Sequence, residues 1–93
     1  MFKTNSYFEG KVMSIALQNA DGPATIGAMK AGEYEFGTST VEHMTVVSGK
    51  MEVMLPGEAE WTAYTPFQTF IVAADIRFKV KMETETAYIC HYK

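Results

Sequence analysis

Residues 76–82 read Ile76-Arg77-Phe78-Lys79-Val80-Lys81-Met82, four apolar side chains alternating with three cations. A repeat of two residues puts all the apolar groups on one face of an extended chain and all the charges on the other, so this segment predicts a half-buried β-strand. The same alternation recurs outward from it. In Glu33-Tyr34-Glu35-Phe36 both carboxylates fall on one face and both rings on the other, with Gly32 opening the strand. Met44 to Ser48 and Met51 to Leu55 flank Gly49-Lys50, a pattern that predicts two strands joined by a tight hairpin turn. Lys11 to Gln18, Ala24 to Ala31, Glu60 to Thr65, Gln68 to Ala73 and Ala87 to Tyr92 supply further strands. Asn19-Ala-Asp-Gly-Pro23, Pro56-Gly57, Pro66 and Glu83-Thr84-Glu85-Thr86 interrupt them. Eight or nine short strands with no amphipathic helical stretch predict an all-β, antiparallel sandwich or barrel.

Composition agrees. Seven Val, five Ile and ten Thr stand against two Leu, and β-branched side chains favour strands. Ninety-three residues make a single domain, 1–93, with a modest core, which favours an oligomer. The net charge is −3 and Arg77 is the one arginine, so the clustered basic field that nucleic acid requires is absent. No run approaches the roughly 20 apolar residues of a membrane-spanning helix, and Met-Phe-Lys-Thr-Asn-Ser does not read as an export signal. Cys90 has no second cysteine to pair with. Together these features predict a cytoplasmic protein without nucleic-acid or membrane partners.

Residue types alone do not identify a reaction. Glu42 and His43 are adjacent and point to opposite faces of a strand, while His91 lies far away in sequence, so no metal site emerges from spacing. Cys90, between Ile89 and His91, reads as a small core residue sharing its face with Tyr88 and Tyr92. The Phe2 to Phe8 segment, with three aromatics, is a candidate arm packed on a neighbour or across the barrel, or else an ordinary first strand.

Several stretches nevertheless resemble a known pattern. Gly32-Glu-Tyr-Glu-Phe36 followed by Glu42-His-Met-Thr-Val-Val-Ser-Gly49 resembles the first motif of the cupin superfamily, a Glu, six residues and a Gly. Asn5 to Ile15, Gly32 to Phe36, Met44 to Gly49, Leu55-Pro56, Trp61 and Tyr88 to Tyr92 together resemble the pyrimidine/purine nucleoside phosphorylase family of small single-domain cupins. The resemblance implies a single cupin-type antiparallel β-barrel or jelly roll. It also implies phosphorolysis: a purine or pyrimidine nucleoside and inorganic phosphate give ribose 1-phosphate and the free base. A non-catalytic small cupin that binds a sugar or nucleoside is the alternative.

Metal-binding cupins hold their ion with histidines where this chain has Phe36, Thr38 and Phe78, so only Glu42 of the four ligand positions remains and no metal or other cofactor is expected. The resemblance makes Glu42 the candidate catalytic group, binding ribose hydroxyls or offsetting positive charge on the sugar. A carboxylate satisfied by Tyr or Thr hydroxyls is the structural alternative. Tyr34, Phe36, Thr38, Phe78, Tyr88 and Tyr92 are the candidate substrate-binding residues: the aromatic faces accept any base, and the Thr38 hydroxyl is a donor to phosphate or sugar. Nucleosides and phosphate are the expected partners, within a homodimer. The phosphate site is open: Arg77 alternates with Phe78 and should point outward, leaving a lysine, a partner chain or backbone amides. Phe67 and Ala73-Ala74-Asp75 stand where the family usually has a Gly and a Pro-Gly-His turn.

Overall fold

The computed structural model describes residues 1–93 and contains ten strands and no helix. They are β1 (Thr4–Tyr7), β2 (Val12–Asn19), β3 (Gly22–Met29), β4 (Gly32–Gly37), β5 (Glu42–Ser48), β6 (Met51–Met54), β7 (Thr62–Tyr64), β8 (Thr69–Val72), β9 (Arg77–Met82) and β10 (Thr86–Tyr92). Every pairing is antiparallel. One sheet has the order β1-β2-β3-β10-β5-β8 and the other β4-β9-β6-β7. The two face each other across a common core, Val12, Met29, Met44, Val46, Phe70, Val72, Tyr88 and Cys90 from the first meeting Tyr34, Met51, Val53, Phe78, Val80 and Met82 from the second. Of the sandwich or barrel expected for an all-β antiparallel chain, the arrangement is a two-sheet sandwich: no strand ladder joins β1 to β4 or β8 to β7.

The alternation of residues 76–82 holds. Phe78, Val80 and Met82 are buried while Arg77 and Lys79 are exposed. The hairpin expected at Gly49-Lys50 is absent: β5 pairs with β10 and β8, and β6 pairs with β7 and β9, so this short connection crosses from one sheet to the other. The reason lies beneath the turn. Gly49 has φ +89°, and a Cβ there would come within 2.6 Å of Thr86 Oγ1 and 2.9 Å of the Glu85 carbonyl. Thr86 is fully buried and donates to the carbonyls of Lys50 and Thr84 at 3.2 and 3.1 Å, holding the crossover against the start of β10. A tight turn with a positive-φ glycine serves a crossover as readily as a hairpin, and only the distant Thr86 distinguishes them.

The N-terminal segment supplies an ordinary first strand, β1 lying antiparallel to β2, and its last aromatic reaches further. Phe8 at φ +53° turns its ring against Tyr34 and Phe36 of β4, with centroids 5.0 and 5.6 Å apart. It thus closes part of the gap between the edge strands of the two sheets. Phe67 and Asp75, at φ +74° and +60°, hold a left-handed backbone without glycine, so the turns flanking β8 keep a conformation that glycine would adopt more readily.

Candidate active site

Between the sheets lies a cavity of about 360 Å³, inside the range of small-molecule sites (roughly 300–1,000 Å³). Its two walls differ. The six-stranded sheet contributes Asn5 and Tyr7 from β1, Ser14 from β2, Thr25 and Met29 from β3, Glu42 and Met44 from β5, and Tyr88, Cys90 and Tyr92 from β10. The four-stranded sheet contributes the rings of Phe36 and Phe78, with Glu35 and Gly37 at the free edge of β4.

Strand register explains why the polar groups converge. Tyr92 of β10 stands opposite Glu42 of β5, and Cys90 of β10 stands opposite Thr25 of β3, on the inward face that also carries Tyr88. Tyr88 opposes Gly27 of β3, where a Cβ would come within 2.8 Å of the tyrosine hydroxyl and 2.5 Å of the Met13 carbonyl. Gly27 is therefore the space that the Tyr88 hydroxyl occupies. Asn5 Nδ2 donates to Ser14 Oγ at 3.4 Å, continuing the polar strip onto the N-terminal hairpin. The Tyr92 and Thr25 hydroxyls share a 2.9 Å hydrogen bond.

Glu42 is the charged group of this wall, and its environment works against its charge. Burial pushes its carboxyl above the usual range, and the opposing hydrogen bond comes from the Cys90 thiol at 3.5 Å. Burial also pushes the thiol up to about 12, the neighbouring Glu42 charge adding to the shift, and burial raises Tyr88 to about 12 and Tyr92 as well. Both tyrosines and the cysteine are consequently neutral hydrogen-bonding groups at physiological pH. The structural role considered for Glu42, a carboxylate satisfied by Tyr or Thr hydroxyls, does not match what surrounds it. No Tyr or Thr hydroxyl makes a hydrogen bond to its carboxylate, and the Cys90 thiol that does is a weak donor. A half-buried carboxylate held so loosely costs stability, as groups kept for function commonly do.

Of the candidate residues, the structure brings Phe36, Glu42, Phe78, Tyr88 and Tyr92 together around one cavity. It does not bring Tyr34 or Thr38 into the lining. The Tyr34 ring is buried in the core and its hydroxyl donates to the Lys30 carbonyl at 2.8 Å. Thr38 lies past the end of β4, where strand alternation stops, and its hydroxyl donates to the Ala73 carbonyl at 2.6 Å while accepting from the Ile76 N–H at 3.2 Å. It clamps the β8–β9 turn. Asn5, Ser14, Thr25 and Cys90 are lining groups that the residue pattern did not single out as ligand-binding. The available signal was Ser14 on the inward face beside Val12, a polar group where the alternation calls for an apolar one.

A family model described as pyrimidine/purine nucleoside phosphorylase matches residues 2–92. The chain belongs to that family. A Pseudomonas aeruginosa relative with that name is 53% identical over 93 residues, covering 100% of both chains. Among solved structures, a Vibrio parahaemolyticus protein of unknown function superposes with a TM-score of 0.96 at 40% identity, over 100% of this chain and 99% of the other. An RmlC-like cupin from Shewanella frigidimarina superposes with a TM-score of 0.75 at 17% identity, over 96% and 80%. That likeness extends to fold alone and makes the phosphorylase-family sandwich cupin-like.

Proposed function

We propose that this chain catalyses phosphorolysis of purine and pyrimidine nucleosides in the cavity between its sheets. The full-length family match carries the reading, and the cavity supplies groups suited to the chemistry. In the step proposed, the C1′–N bond breaks with its electron pair leaving on the base, and a phosphate oxygen bonds to C1′. The proton of the hydrogen phosphate dianion ends on the base, so atoms and charge balance without a metal or redox partner. The transition state carries positive charge on the sugar. An ionised Glu42 facing the ribose stabilises that charge and accepts hydrogen bonds from its hydroxyls, in a site where burial strengthens both effects.

Tyr88 and Tyr92, neutral and set among Asn5, Ser14 and Thr25, offer hydroxyls to the sugar and base, while Phe36 and Phe78 give the base an apolar face to lie against. Such a face has no preference between purines and pyrimidines. The transfer is a pentosyl transfer, needs no cofactor beyond phosphate, and fits a cytoplasmic enzyme. A homodimer is part of the same reading. The outer face of the six-stranded sheet carries a row from Ile15 through Ile26, Ile89 and Thr45 to Thr69 that holds no charge, and a second copy covers such a face well.

The test is incubation with uridine or adenosine, with and without phosphate, in the presence of a chelator. Ribose 1-phosphate and free base are expected in equal amounts and only with phosphate. Nucleoside binding without base release would instead mean a non-catalytic binding cupin.

A further inference from the structure

A phosphate-consuming site should hold a cation near the reacting carbon, yet the lining of this cavity includes two carboxylates, Glu35 and Glu42, and no lysine or arginine. One of those carboxylates leads to the missing charge. Glu35, at the free edge of β4, accepts a hydrogen bond from Arg77 Nε at 2.6 Å. Arg77 points outward, as its alternation with Phe78 requires, but it sits at the first position of β9, directly opposite Gly37. Gly37 itself lines the cavity, and a Cβ there would lie 3.7 Å from Arg77 Nη1. Gly37 therefore puts no side chain of its own between this guanidinium and the rim.

We propose that Arg77 is the phosphate anchor of the cavity, held at the rim in the free protein by Glu35 and turned to the phosphate dianion when it binds. The assignment rests on the phosphorolysis reading for the identity of its ligand. The guanidinium suits the task because Glu35 engages Nε and leaves the two terminal nitrogens for a second acceptor, and a planar fork matches two phosphate oxygens. The ion pair is also an exchangeable one. The Arg77 side chain is largely exposed and that of Glu35 partly so, where such pairs are worth little, and a dianion can replace the monoanionic Glu35 at small cost. Gly37 and Glu42 are separated only by residues 38–41, which puts the anchor and the sugar-facing carboxylate at the same end of the sandwich.

Two readouts test this, the phosphate KM at saturating nucleoside and equilibrium phosphate binding followed by ³¹P line broadening without nucleoside. Arg77→Met should raise the phosphate KM about tenfold or more and leave the nucleoside KM within about twofold, the loss expected for hydrogen bonds to a charged group. Arg77→Lys should recover part of the loss as a point charge without the fork, and Glu35→Gln should lower the phosphate KM by freeing the guanidinium. Unchanged melting temperatures in the three variants confirm that the effect is local. Base release by the wild type with an unchanged phosphate KM in Arg77→Met would overturn the anchor and leave the phosphorylase standing. Arg77-dependent phosphate binding without base release would support the anchor and remove the phosphorylase. A wild type that neither binds phosphate nor releases base would overturn both.

Discussion

The two walls of the cavity are built by the same alternation and do opposite things. On the four-stranded sheet the inward positions carry Phe36, Phe78, Val80 and Met82, and every charge of β9 faces outward, so this wall seals and packs. On the six-stranded sheet inward positions admit Asn5, Ser14, Thr25, Glu42 and three hydroxyl or thiol groups of β10. The polar wall gives up part of its share of the core to hold them. The polar groups that line the cavity thus come mostly from one sheet, while the other gives it an apolar backing and, at its free edge, the Glu35–Arg77 pair.

Substitutions on the two walls should separate stability from turnover. Phe78→Ala removes a ring that is 3% exposed and is expected to cost about 3–5 kcal/mol, read from the urea midpoint. Folded variant should keep most of its kcat and lose nucleoside affinity. Glu42→Gln should behave in the opposite way, with kcat falling about 10²–10³-fold, as when one group that stabilises transition-state charge is lost. Its melting temperature at neutral pH should exceed that of the wild type. A folded-state pKa raised by burial means that the native protein holds more protons than the unfolded one in that window, so the wild type loses stability as pH rises through it. Glutamine cannot ionise, so the advantage of the variant should vanish towards acid pH. A smaller effect tests the geometry of the polar wall. Gly27→Ala forces a methyl against the Tyr88 hydroxyl and the Met13 carbonyl, and about 1–3 kcal/mol of destabilisation is expected from thermal melting, with a higher nucleoside KM.

Much of this architecture was legible in the residues because strand alternation is a local signal. Glu33 to Phe36 and Ile76 to Met82 predict their faces without reference to anything else, and the outward aim of Arg77 follows from the same pattern. Features set by distant partners were not legible. Gly49-Lys50 reads as a hairpin turn, and only burial of Thr86 beneath it makes it a crossover. Alternation places Tyr34 and Thr38 on the face of Phe36, but it tells which face a residue occupies and not how far along that face the cavity runs. Asn5 and Thr25, small polar groups on weakly alternating strands, look like tolerated surface residues until the opposite sheet is in place. The family resemblance located Glu42, whereas its weak thiol partner and raised pKa needed the fold.

The central claim is that an ionised Glu42 on the polar wall carries the reaction. The pH dependence of kcat at saturating uridine, with the hydrogen phosphate dianion kept saturating at every pH, compared between wild type and Glu42→Gln, tests it most directly. The wild type should lose activity on the acid side through a single ionisation above the ordinary carboxylate range, and the residual activity of the variant should lack that limb. A variant that keeps wild-type kcat, or that shows the same acid limb, would contradict the account.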